Sequence, residues 1–147
     1  MGRKKDRATA LQILYALEVG QESRPAAAED ILRSHGVKHA ASRDFILKIV
    51  RGVEEDRSEI DRWIERCSEN WSLSRIAAVE RSVLRLAVCE LLRLPETPER
   101  VVLNEAVELA KTYGGRDSGA FVNGILDQVA CLIRSGRNED QTGKPPR

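Results

Sequence analysis

The sequence predicts an all-α protein of six or seven helices, and three observations carry that prediction. Apolar residues recur at spacings of three and four through most of the chain, and no useful length of period-two alternation occurs. The five prolines, Pro25, Pro95, Pro98, Pro145 and Pro146, all fall outside the periodic runs, as expected of residues that break a helix interior. The composition, 41% apolar and 32% charged, is that of an ordinary globular protein. At 147 residues the chain can bury a core without disulfide or metal.

The elements follow in order. Lys5 to Val19 predicts a first helix, with Ala10, Leu11, Leu14 and Leu17 or Glu18 on one face and Gly20 ending it. Pro25 suits the first turn of a short helix that stops near His35 and Gly36. Ser42 can cap a long helix over Arg43 to Cys67, whose stripe is Phe45, Ile46, Ile49, Val50, Val53, Ile60, Ile64 and Cys67. Gly52 and the polar run Glu54 to Glu59 mark either a bend or a break into two helices. Trp71 to Ser74 reads as a connection. Val79, Val83, Leu84, Leu86, Ala87, Leu91 and Leu92 then cover so wide a face that their helix must be buried on more than one side. Pro95 to Pro98 breaks the chain. Glu99 to Tyr113 predicts another helix, stopped by Gly114 and Gly115. Asp117 or Ser118 caps the last, with Phe121, Val122, Ile125, Leu126, Val129, Leu132 and Ile133 as its stripe and Gly136 as its end. The organisation expected is one helical domain over residues 1–136 and a disordered polar tail over 137–147.

Charge and composition exclude several classes. Lys plus Arg (24) nearly balances Asp plus Glu (23), for a net charge of +1, so any nucleic-acid binding must come from a local patch. Aromatics at 4% are too few for a broad base-stacking platform. No run approaches the length of about 18 apolar residues that spans a membrane. The charged start, Met1 to Arg7, does not resemble a secretory signal. Three cysteines, Cys67, Cys89 and Cys131, without a C-x-x-C pair, read as reduced thiols of a cytoplasmic protein, buried as small hydrophobes.

Catalytic and metal chemistry find little support. His35 and His39 are four apart, but Gly36 argues against a shared helix face, and neither metal nor cofactor is expected. No nucleophile elbow or H-E-x-x-H motif occurs. Gly114 to Gly119 superficially resembles a phosphate loop, without its Lys-Ser/Thr end or a preceding strand.

Three features remain. Arg3, Lys4, Lys5 and Arg7 against Asp6 give the N-terminus a local charge of +3; a solvated, frayed end is the plainer reading. Arg81 and Arg85 lie one turn apart, with Arg75 ahead of them; each guanidinium suits a phosphate, or equally a salt bridge to Glu80 or Glu90. The helix beginning at Asp117 or Ser118 offers free N–H groups to an anion unless Asp117 already fills that place. Lys111, Arg116 and Phe121 lie close by in sequence and could pin a backbone and stack a base, although Phe121 also suits the core.

The segment Val101-Val-Leu-Asn-Glu-Ala-Val-Glu-Leu-Ala-Lys-Thr-Tyr-Gly114, followed by Phe121-Val-Asn-Gly-Ile-Leu-Asp127, closely resembles the signature of the NusB transcription antitermination family. Arg7-Ala8 with Ala10 to Gln12 and Tyr15, Val50 with Gly52-Val53, Ile60-Asp61, and Glu80-Arg81 with Leu84 to Ala87 and Glu90-Leu91 extend the resemblance from Arg7 to Ile133. It implies two packed helical bundles and a non-enzymatic adaptor. The adaptor pairs with NusE, a small-subunit ribosomal protein, binds single-stranded boxA RNA of nascent ribosomal RNA, and acts with other Nus factors to keep RNA polymerase elongating. Some members self-associate, so a homodimer is a further possibility.

By similarity the RNA-binding residues are Arg3, Lys4, Lys5, Arg7, Arg75, Arg85, Asp117 and Phe121, to which Lys111 and Arg116 are added for their place beside the last helix, and the partner-binding residues are Tyr15, Glu80 and Arg81. The start here is lysine-rich and interrupted by Asp6, which implies fewer or weaker phosphate contacts than an unbroken arginine run. Asn104, Asn123 and Gly124 are expected to lock the last two helices together. A DNA-binding regulator would need a polar recognition helix, where the last helix is apolar along one face. A similar helical module precedes the catalytic domain of some ribosomal-RNA methyltransferases, but 147 residues leave no room for a cofactor domain.

Overall fold

Seven α-helices and one 3-10 turn make up the described part, residues 2–20, 25–68 and 72–141, of the computed structural model. They are α1 (Arg3–Val19), α2 (Pro25–Ser34), α3 (Ala40–Glu55), α4 (Arg57–Cys67), α5 (Ala78–Arg93), α6 (Glu99–Tyr113) and α7 (Ser118–Gln141), with the 3-10 turn at Leu73–Arg75. No strand occurs among the described residues.

The wide apolar face of α5 makes it the shared axis. Every residue from Ser82 to Leu91 is buried, and α5 packs on α1 and α3 on one side and on α4, α6 and α7 on the other. A group of α1–α3 and a group of α4–α7 thus share one core, with Ile13, Ile46, Ile49, Ile60, Ile64, Leu84, Leu86 and Leu126 almost wholly enclosed. Each such side chain contributes about 1.5–3 kcal/mol by leaving water. Gly52 lets α3 approach α5 closely: a Cβ there would lie 2.6 Å from Cys89 Sγ.

Several local expectations are refined. The polar run after Val53 is a break, since Asp56 ends α3 and begins α4. Helix α3 starts at Ala40 with His39 as its cap, one turn ahead of the Ser42 start read from sequence. The predicted connection, Trp71 to Ser74, overlaps the 3-10 turn, which runs one residue further to Arg75, while Trp71 lies outside the described residues. Gly136 does not end α7, which continues to Gln141 where a disordered tail was expected. A helical glycine costs about 1 kcal/mol and does not by itself stop a helix; Gly136 stays helical with a negative φ. Residues 142–147 lie outside the described part.

Candidate nucleic-acid and partner interface

The first turn of α5 holds two loops at once. Glu80 Oε2 accepts a hydrogen bond of 2.7 Å from Ser118 Oγ, and that oxygen accepts one of 2.8 Å from the Gly115 N–H. Ser118 is buried at 3% exposure, so this chain fastens the α6–α7 turn to α5. Gly114 permits it: a Cβ there would stand 2.6 Å from Ser118 Oγ and 2.7 Å from the Ala110 carbonyl oxygen. One residue on, Arg81 Nη1 donates to the carbonyls of Leu73 (3.0 Å) and Ile76 (2.7 Å), while its Nε binds Glu18. Arg81 therefore anchors the 3-10 turn that ends in Arg75.

Arg75, Arg116 and Asp117 are exposed on these loops, and among the described residues no ion pair or side-chain hydrogen bond engages them. Asp117 contributes only its backbone carbonyl to the start of α7, accepting from the Phe121 N–H at 3.1 Å. The side chain that satisfies the turn is Ser118, so the Asp117 carboxylate faces solvent. Lys111 is exposed, with Glu108 3.8 Å away, and its aliphatic stem packs over Gly119. Phe121 is half-buried against the core.

Beside this turn an apolar groove of about 180 Å³ is lined by Leu11, Gln12, Tyr15, Val79 and Tyr113. Tyr15 and Tyr113 are exposed at 38% and 41%, two of the four large hydrophobic side chains on the described surface. Gln12 Nε2 reaches Tyr113 Oη at 3.5 Å across the groove. Tyr15 was expected on a partner surface; Gln12, Val79 and Tyr113 were not singled out, and an aromatic at an exposed helix end was the available signal.

The N-terminal cluster divides. Lys4 and Lys5 are exposed and carry no ion pair among the described residues. Arg3 lies over the Phe45 ring at 4.3 Å and pairs with Asp6 at 3.0 Å. Arg7 is not available to RNA: it is 3% exposed and bound through two hydrogen bonds to Glu90, itself fully buried. Its place in the cluster was read from sequence proximity, whereas its partner lies 83 residues away. The Arg7–Glu90 and Glu18–Ser82 contacts set α1 antiparallel to α5. Lys4 and Lys5 thus stand near the C-terminal end of α5, about 20 Å along its axis from Glu80.

Arg85 is likewise withdrawn. It is 7% exposed, bidentate to Asp61 at 2.9 and 3.1 Å, and 3.5 Å from Glu18. The salt-bridge reading of Arg81 and Arg85 therefore describes them, but with Glu18 and Asp61 in place of Glu80 or Glu90. Asn104, Asn123 and Gly124 do not lock α6 to α7: all three are exposed, no hydrogen bond of either asparagine side chain occurs among the described residues, and a Cβ on Gly124 would meet open space. Close approach falls to Gly119, whose Cβ would lie 3.0 Å from Lys111 Cγ. Cys67 and Cys89 are buried as expected, whereas Cys131 faces solvent. His35 Nδ1 contacts the Ile31 carbonyl at 2.9 Å and closes α2, so His35 and His39 sit on different elements. No group of three or more metal-ligating side chains occurs among the described residues, and none of their helices is long and apolar enough to cross a membrane.

The NusB family model matches residues 4–131. The chain is similar to the transcription antitermination protein NusB of Acetivibrio thermocellus, at 42% identity over 96% of this chain and 98% of that one. It is also similar in structure to T. maritima NusB, with a TM-score of 0.82 and 37% identity over 89% of this chain and 92% of that one. A third similar structure is that of the antitermination factors NusB and NusE in complex with dsRNA, with a TM-score of 0.81 and 30% identity over 88% of this chain and 96% of that one.

Proposed function

The chain belongs to the NusB family, and from that membership we propose that it joins a single-stranded boxA RNA and a NusE-type ribosomal protein on adjoining surfaces around the first turn of α5. It is a transcription antitermination protein and a non-catalytic adaptor. Other Nus factors and RNA polymerase are reached through the partner.

One observation carries this reading: the aromatic groove lies between the two sets of exposed cations. Along α1, Lys4, Lys5, Ala8, Gln12 and Tyr15 fall within a sector of about 100° at helical spacing, and all are exposed or half-buried. A strand following that face runs from Lys4 and Lys5, past the groove, to Arg75 and Arg116. Five cations, Lys4, Lys5, Arg75, Lys111 and Arg116, supply the phosphate contacts. With five phosphates neutralised, affinity falls with a log–log salt slope of about −3.5. The Asp117 carboxylate is suited to accept from a base amino group, and Phe121, half-buried beside it, is an aromatic ring close to this turn for one base. Arg3 contributes less, because Asp6 offsets its charge.

So few contacts make a weak RNA site. A partner whose apolar side chains fill the Tyr15–Tyr113 groove adds its own surface and raises the effective concentration of the whole site. A second copy of this chain is the competing occupant of the groove, and sedimentation at several concentrations tests it.

Fluorescence anisotropy with labelled boxA RNA, with and without NusE, tests the proposal. The expected result is binding at least about tenfold tighter with NusE, by the linked-site argument, and a preference for the single strand over a duplex of the same sequence. Equal, weak binding in both conditions would overturn it. Equal affinity for the duplex would remove the single-strand assignment.

A further inference from the structure

We propose that Glu80 and Arg81 are positioning residues of the RNA site: neighbours on the first turn of α5, each latches one of the two loops that present its exposed arginines. The inference rests on the RNA reading above and assigns these two residues a role other than direct contact with a protein partner.

The geometry is specific. Helix α5 is the most enclosed element of the fold, buried continuously from Ser82 to Leu91, so its first turn is a fixed point. From it the Glu80 carboxylate reaches Ser118 Oγ, which takes the Gly115 N–H and closes the turn carrying Arg116 and Asp117. The Arg81 guanidinium reaches in another direction and gathers two carbonyls, those of Leu73 and Ile76, on either side of Arg75. Glu18, on α1, holds Arg81 and also accepts from Ser82 Oγ at 3.3 Å, so the latch is braced from a third helix. Removing either latch leaves Arg75 or Arg116 on the same chain but no longer at a set separation. Ordering a loop on binding subtracts from affinity, and loops ordered in advance avoid that loss.

A double-mutant design tests it, using the full chain. Ser118 is buried and out of a partner's reach, so it separates latch from contact. Ser118→Ala and Glu80→Ala are each expected to weaken RNA binding about three- to tenfold, the size of one hydrogen bond. The two together should weaken it no further than either alone. Glu80→Gln keeps an acceptor for Ser118 Oγ and is expected to retain RNA affinity. NusE binding without RNA is expected to be unchanged by Ser118→Ala. The decisive readout is Arg116→Ala, whose cost should shrink in the Ser118→Ala background, because an unplaced arginine has less to lose. Arg81→Lys, which keeps the charge opposite Glu18 but not the planar fork, is read against Arg75→Ala in the same way.

Fully additive losses would overturn the positioning role while leaving the RNA reading intact. So would a Ser118→Ala variant with parental RNA affinity and parental helical circular dichroism. A parental RNA affinity for both Arg116→Ala and Arg75→Ala would instead overturn the RNA reading at these loops, and the proposal with it.

Discussion

Arg7 and Glu90 form a buried ion pair across α1 and α5, with Nε to Oε2 at 2.7 Å and Nη2 to Oε1 at 2.9 Å. Both side chains are almost fully enclosed, at 4% and 1% exposure, and the Phe45 ring lies 5.5 Å from the Arg7 guanidinium. Truncating one partner strands the other charge in the core. Arg7→Ala is therefore expected to lower stability by about 3–5 kcal/mol, the cost of breaking a buried pair from one side. Urea unfolding checks this; a loss below about 1 kcal/mol would mean that the pair is not enclosed in solution.

Lys4 and Lys5 behave differently because nothing in the fold depends on them. Lys4→Ala with Lys5→Ala should change stability by less than about 0.5 kcal/mol. The same double variant should weaken RNA binding and make its log–log salt slope shallower by about 1.4, two phosphates' worth on a single strand. An unchanged slope would move the RNA path off the N-terminal end of α1.

Thiol chemistry reports on burial. Desolvation pushes the Cys89 thiol up to about 12 and also raises Cys67 above the usual thiol value. Both thiols therefore stay protonated and enclosed, while Cys131 is exposed. A thiol-specific reagent should label Cys131 rapidly in the native protein and the two buried cysteines only on unfolding. Three fast thiols under native conditions would contradict the packing of α5 on α3.

Acid stability follows from two surface-accessible pairs. The Arg93 guanidinium, hydrogen-bonded to Asp56 at 2.7 Å, holds that carboxyl below its ordinary 3.8, and Arg43 does the same for Glu29 below 4.5. A carboxyl whose folded value is lowered stabilises the fold above its unfolded value and loses that contribution as pH falls through the folded one. Urea midpoints should accordingly fall as pH drops from about 5 toward 3, and less steeply in Asp56→Asn. The same decline in Asp56→Asn as in the parent would assign the acid sensitivity elsewhere.

The helices and the aromatic Tyr15 were legible because their signals are local or few. Apolar spacing and the prolines placed α1, α2, α5 and α6 within a few residues, while Tyr15 and Arg75 came from the family resemblance and Arg116 from its place beside the last helix. The break at Asp56 stayed open in the sequence because a bend and a break share the same polar run. The role of Asn104 and Asn123 was misread, since motif position says nothing of whether a side chain points inward.

The amino-acid sequence by itself determined that this is a helical protein of the NusB type, because helical periodicity and family motifs are written within short stretches of chain. Only the tertiary structure decided which charges are free. Arg7, Arg81 and Arg85 look as available as Lys4 or Arg116 in one dimension; their carboxylate partners Glu90, Glu18 and Asp61 arrive from 83, 63 and 24 residues away. A charge is spent or spare according to what the packing of other helices brings within about 3 Å of it, and that distance is set by the core.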